Sequence, residues 1–95
     1  MEIMQLSEAL RALAVPSRLR IIELLRGHSY CVRALTMLLD ISQPAVSQHL
    51  AVLKRAGLVD AEKEGTMVHY RVNGERLQEV MSAIGSVGMS RAQKT

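Results

Sequence analysis

Phenylalanine and tryptophan are absent from this 95-residue chain, and Tyr30 and Tyr70 are its only aromatic residues. Stacking platforms of the kind that grip single strands or RNA are therefore not available. A single cysteine, Cys31, excludes an intramolecular disulfide and any Cys-x-x-Cys metal or redox centre. No apolar run approaches the ~18 residues of a membrane span. The N-terminus, with Glu2 and Gln5 among its apolar residues, lacks the basic-then-apolar layout of a signal peptide. A cytoplasmic location without membrane contact is the expectation. Also missing are a nucleophile with an adjacent base, a glycine-rich phosphate loop after a strand, and a pair of acids in a plausible cleft. An enzyme and a bound cofactor are not expected.

What remains is a chain that should fold. Hydrophobic residues make up 48% and charged residues 22%, with only six glycines and two prolines. The length supports one compact core and no second domain. Twelve Lys and Arg against nine Asp and Glu give a formal charge of +3, which permits a nucleic-acid partner without requiring one. With stacking platforms excluded, duplex DNA is the better match.

The stretch Ser42 to Leu58 reads as a short helix with both ends marked. Ser42 is a good N-cap, Pro44 falls in the first turn where its missing donor costs nothing, and Gly57 ends the helix. Val46, Leu50 and Leu53 recur at i, i+4 and i+7 and form one apolar stripe. Opposite that stripe lie Pro44, Gln48, Ala51 and Arg55, flanked by Ser47 and Lys54, with no acid among them. Such a face can approach a polyanion, although the helix alone also fits an ordinary amphipathic surface helix. His49 lies beside the stripe, where it either anchors the helix or touches a phosphate.

The neighbouring segments give this helix a context. Ile3, Leu6, Leu10 and Leu13 predict a first helix from Ile3 to Val15, broken at Val15-Pro16. A second helix follows to Gly27, with Leu19, Ile21, Ile22 and Leu25 as its stripe and Arg18, Arg20 and Arg26 off it. His28 to Val32 is short and extended. Leu35, Leu38 and Leu39 mark a third helix that stops near Asp40, only a few residues before the fourth, as in a helix-turn-helix. Beyond Gly57, Leu58–Lys63 and Met67–Val72 flank Glu64-Gly65-Thr66 as a β-hairpin, with Val68, Tyr70 and Val72 on one side. A last helix from Gly74 carries Leu77, Val80, Met81 and Ile84, and residues 90–95 read as a frayed tail. The fold class is thus mainly α with a small β-hairpin: a winged helix-turn-helix of about five helices plus wing, one domain over residues 1–89.

Four blocks carry a more specific likeness: Ala12-Leu13-Ala14-Val15-Pro16-Ser17-Arg18-Leu19-Arg20-Ile21-Ile22-Glu23-Leu24-Leu25, then Cys31-Val32, then Ser42-Gln43-Pro44-Ala45-Val46-Ser47-Gln48-His49-Leu50, then Ala56-Gly57-Leu58-Val59. In this order and spacing they resemble the signature blocks of the ArsR-type winged-helix repressors. The resemblance implies a homodimeric repressor whose first and last helices form the dimer interface, here Ile3, Leu6, Leu10, Leu77, Val80, Met81 and Ile84. It implies a pseudo-palindromic operator read by two recognition helices about 34 Å apart. On the recognition helix, Gln43, Ser47 and Gln48, with Pro44 between them, are candidates for base-edge or adjacent contacts, and His49 for a backbone contact. Lys54, Arg55 and the wing's Lys63 are candidates for phosphate, with Gly65 at the wing tip.

Effector chemistry is where the chain departs from that family. Metalloid-sensing members carry Cys-Val-Cys before the recognition helix, but here the triplet is Cys31-Val32-Arg33 and the second thiolate is replaced by a cation. Zinc- and nickel-type members place Asp and His along the last helix; here residues 74–89 hold Glu75 and Glu79 but no histidine or aspartate. No metal site is therefore expected, and His28, His49 and His69 lie on three separate elements. Two alternatives stay open: a thiol or metal sensor acting through Cys31, and a winged-helix module that binds only protein.

Overall fold

A computed structural model describes residues 1–89 of the chain; the tail expected at residues 90–95 lies outside them. Helix α1 (Ile3–Leu13) opens with a capping box. The Gln5 N–H donates to Glu2 Oε1 at 2.7 Å, and the Glu2 N–H donates to Gln5 Oε1 at 3.2 Å. The helix stops at Leu13, two residues before the predicted Val15. Pro16 disfavours helical torsions in the residue before it. Val15 is accordingly extended, with φ −132° and ψ 127°, and its carbonyl accepts the N–H groups of Arg18 and Leu19 as α2 (Pro16–Leu25) begins.

Helix α3 (Val32–Leu39) ends at Asp40, whose left-handed torsions (φ 54°, ψ 45°) reverse the chain; a short polar side chain tolerates that region better than most. Ile41 and Ser42 then lead into α4 (Gln43–Arg55). Ser42 Oγ accepts the Ala45 N–H at 3.2 Å, with Pro44 in the first turn as predicted. At the other end Gly57 has φ +77°, its N–H donates to the Lys54 carbonyl, and the Leu58 N–H donates to the Leu53 carbonyl, both at 2.9 Å. These two bonds make a Schellman motif, closed by the burial of both Leu53 and Leu58.

The wing is a three-stranded sheet where the sequence predicted a two-stranded hairpin. Strands β2 (Val59–Glu64) and β3 (Met67–Val72) pair antiparallel from Val59↔Val72 to Glu64↔Met67. This leaves a two-residue loop with Gly65 at φ +63° in its first position, which a tight hairpin turn requires of a glycine. The extended stretch before α3 supplies β1 (Tyr30–Cys31), paired with β3 in the register Tyr30↔Tyr70 and Cys31↔His69. Val68 projects near the exposed end of the hairpin, while Tyr70 and Val72 pack against the core.

Helix α5 (Gly74–Met89) is capped by Asn73. Its Oδ1 accepts the Arg76 N–H at 3.1 Å, and its own N–H donates to the Leu58 carbonyl at 2.9 Å, joining α5 to the turn that ends α4. One apolar cluster holds these elements together, with Ile21, Leu25, Leu35, Val46, Leu50, Leu53, Leu58, Val59 and Val80 fully buried. Two predicted core positions are corrected. Leu19 and Leu38 are each 53% exposed, because α2 buries the Ile21, Ile22 and Leu25 arc and α3 turns Leu35 inward. No described helix is long and apolar enough to cross a membrane.

Candidate nucleic-acid interface

The core stripe fixes how α4 is presented. Because Val46, Leu50 and Leu53 are buried, the opposite face stands outside the molecule, and Gln43, Pro44, Ser47, Gln48, Ala51, Lys54 and Arg55 are all exposed. The helix from Gln43 to Arg55 contains no acid. Its amides and hydroxyl near the N-terminus can both donate and accept hydrogen bonds, whereas Lys54 and Arg55 in the last turn can only donate.

His49 is half-buried and turns toward the body of the protein. Its Nδ1 accepts a hydrogen bond from Arg18 Nε at 3.2 Å, and Arg18 Nη1 donates to the Ala12 carbonyl at 3.3 Å. One guanidinium thus joins the end of α1, the start of α2 and the middle of α4. Burial, and then the Arg18 cation, lower the imidazole pKa below its usual 6.5, so the ring is held neutral with Nδ1 as acceptor. Sequence reading set Arg18 aside as a residue off the α2 stripe. The two residues lie 31 positions apart, and no local pattern links them.

The wing is less basic than α4. Lys63 is exposed but shares β2 with Asp60, Glu62 and Glu64, and alternation along the strand sends its side chain to the face opposite theirs. Glu62 forms an ion pair with Arg71, and Glu64 Oε1 lies 3.3 Å from His69 Nδ1. Gly65 occupies the turn at the tip.

Helices α1 and α5 pack together and leave a second apolar surface. Ile3 is 66% exposed and Met81 59%, with Met4, Leu10, Ile84 and Val87 also open, and Ile3, Leu6, Gln78, Ala83 and Val87 are among the residues of the two helices that line a groove of about 740 Å³. Two residues expected on the dimer stripe lie in the core of this chain. Leu6 and Val80 are closed within the chain, at 6% and 1% exposure, because they are the contacts through which α1 and α5 reach the core. Leu77 is half-buried for the same reason.

Metal ligation has little to build on. Cys31 is a half-buried N-cap of α3 with Arg33 two residues on, and α5 offers only Glu75 and Glu79. Among the described residues no three His, Cys, Asp or Glu side chains come together in a way that could hold a metal ion.

Comparison with known proteins places this arrangement. The family model described as bacterial regulatory protein, arsR family, matches residues 15–61, from the N-cap of α2 to the start of the wing. The HTH-type transcriptional repressor SmtB of Mycobacterium tuberculosis is 44% identical over 82 residues, 85% of this chain and 61% of that protein. The chain therefore spans about three fifths of that relative's length. An ArsR-like transcriptional regulator from Rhodococcus sp. RHA1 superposes with a TM-score of 0.88 at 25% identity, over 96% of this chain and 86% of the other. A homodimeric winged helix-turn-helix DNA-binding domain from Mycobacterium bovis, described as a possible ArsR-family regulator, gives a TM-score of 0.74 at 30% identity, covering 96% and 84%. With its helix-turn-helix, its wing and these likenesses running from α1 to α5, the chain belongs to the arsR family of bacterial regulatory proteins.

Proposed function

We propose that this chain is a sequence-specific, duplex-DNA-binding transcriptional repressor that works as a homodimer in the cytoplasm, without enzymatic activity. The observation that carries the reading is the outer face of α4, exposed from Gln43 to Arg55, free of acid, and held out by three buried residues on the opposite side. Gln43, Ser47 and Gln48 would meet base edges in a major groove, since amides and hydroxyls match the donor and acceptor patterns displayed there. Lys54, Arg55 and Lys63 would meet phosphates and supply a term independent of sequence. Residues 1–89 would act as one unit for DNA binding and dimerisation.

The exposed apolar residues of α1 and α5 support the homodimer, because large apolar side chains left open on two packed helices of so small a chain gain by burial against a partner. The M. bovis relative is homodimeric, and SmtB is a repressor. Two-fold pairing would set the two α4 helices about one DNA turn, ~34 Å, apart and select a pseudo-palindromic site.

The test is a fluorescence-anisotropy titration on the DNA upstream of the gene for this chain and on a scrambled duplex, across a salt series. The reading requires binding at least ~10³-fold tighter to the upstream duplex and a steep loss of affinity with salt. Equal, weak binding to both duplexes would point instead to a winged helix serving a protein partner.

A further inference from the structure

Three arginines from three helices line one small cleft, and none of them forms a salt bridge among the described residues. Arg11 comes from the last turn of α1, Arg18 from α2 and Arg55 from the last turn of α4, around a cavity of about 170 Å³ whose only acidic residue is Glu8. Arg11 Nη2 donates to Ser7 Oγ at 3.1 Å, and Arg18 donates to neutral partners, His49 Nδ1 and the Ala12 carbonyl. Arg55 makes no hydrogen bond or ion pair among the described residues. Glu8 forms no salt bridge with any of the three within 4.0 Å.

Helix ends account for part of this. The carbonyl termini of α1 and α4 favour a nearby cation, which gives Arg11 and Arg55 a reason to sit where they do. It does not account for three arginines lining one concavity beside a single acidic residue. Like charges gathered in this way repel, and a shared anion relieves the repulsion. The cleft has room for about five or six water-sized groups, enough for a tetrahedral oxyanion.

We propose that this cleft binds a phosphate-type oxyanion, held by Arg55 and Arg11 with Arg18 at its inner wall. Guanidinium forks match the oxygens of such an anion in pairs, where an ammonium would act only as a point charge. Because Arg18 also holds His49, an occupied cleft is connected to the recognition helix through one side chain. The anion has two possible sources, a free oxyanion or a phosphodiester of the DNA backbone. Only the second rests on the DNA-binding reading.

The test titrates the arginine Nε–H NMR signals of the intact chain with inorganic phosphate, at an ionic strength held constant with sodium chloride. Saturable shifts of Arg11, Arg18 and Arg55 with one common dissociation constant are expected, while Arg20 and Arg26, exposed elsewhere on and after α2, drift without saturating. Arg55→Gln and Arg11→Gln should each weaken phosphate binding at least fivefold with the backbone spectrum otherwise preserved; both sites are exposed, so the fold does not depend on them. Parallel, non-saturating shifts of all the arginines, or unchanged affinity in both variants, would overturn the proposal. A second arm distinguishes the sources. If Arg55→Gln lowers the slope of log K against log salt on DNA by about one, the anion is a backbone phosphate. An unchanged slope beside weakened phosphate binding assigns a free anion, and either result upholds the site.

Discussion

Arg18 Nε donates to His49 Nδ1 across 3.2 Å, so α4 is hydrogen-bonded to α2 through an imidazole that must stay neutral to accept. Protonation would turn the acceptor into a donor and set two cations side by side. Burial and Arg18 hold the folded-state pKa below the usual 6.5, so between these two values the unfolded chain binds more protons than the folded one. Stability contributed by His49 is therefore complete above about pH 6.5 and falls as the pH drops toward the folded-state value. In denaturant titrations at fixed protein concentration between pH 7.5 and 5, His49→Gln should lose less stability on acidification than the unmodified chain. The two proteins differ only at position 49, so the difference isolates His49. Equal pH dependence in the two would show that the Arg18 contact does not discriminate between protonation states.

Base contacts and phosphate contacts should separate in a salt series. Gln48→Ala removes an exposed amide from the middle of the α4 outer face. It should cost about 1–3 kcal/mol on the specific duplex and leave the salt slope unchanged. Lys54→Gln should weaken specific and scrambled duplexes alike and lower the slope by about one. An equal loss on both duplexes for Gln48→Ala would move that residue out of base readout.

The end of α4 carries the strongest local constraint on the fold. Gly57 sits at φ +77°, and a Cβ there would lie 3.4 Å from Arg76 Nε. Gly57→Ala should destabilise the chain by about 1–2 kcal/mol, the ordinary cost of a left-handed torsion for a residue with a Cβ, read as a shift in the denaturant midpoint. Asn73→Ala should cost about 1 kcal/mol through loss of the α5 cap.

These two positions show what the sequence could and could not reveal. Ser42, Pro44 and Gly57 mark the ends of α4 through local backbone chemistry, and the Val46, Leu50 and Leu53 period sets its orientation, so the presentation of the outer face was legible. Asn73 caps α5 as Ser42 caps α4, but Gly74 directly after it reads as a break, so the boundary is not marked by sequence alone. Strand β1 has two residues, too few for any period, and its pairing with β3 depends on where the hairpin folds back. Leu19 and Leu38 kept helical spacing yet are exposed, because periodicity marks a stripe without saying how wide an arc the neighbours cover. The Arg18 to His49 contact is purely tertiary.

Cys31 faces His69 across the β1–β3 ladder, half-buried, with no second cysteine in the chain to resolve an oxidised thiol. A sensor of this kind needs an exposed, activated thiolate, and usually a partner for it. Treatment with hydrogen peroxide or a thiophilic metal should therefore leave DNA affinity within about twofold, for the unmodified chain and for Cys31→Ser alike. A large oxidant effect abolished by Cys31→Ser would establish thiol sensing.

The proposed dimer surface on α1 and α5 yields the prediction on which the reading of the operator depends. Ile84 and Met81 on α5 and Ile3 on α1 are exposed, while Leu6 and Val80 beneath them belong to the core. A charge placed on the outer layer should break association without unfolding the chain, whereas the same charge on the inner layer should do both. Ile84→Glu and Met81→Glu are expected to give folded monomers by sedimentation, with unchanged far-ultraviolet circular dichroism. Val80→Glu should unfold the chain, since it buries an unpaired carboxylate. The outer-layer variants should lose at least ~10²-fold in affinity for a two-half-site duplex, because the second recognition helix no longer arrives at the high local concentration a dimer provides. Binding to a single half-site should barely change, since the outer face of α4 is untouched. A monomer that still binds the full site as tightly as the dimer would sever the link between the α1–α5 surface and the symmetry of the operator.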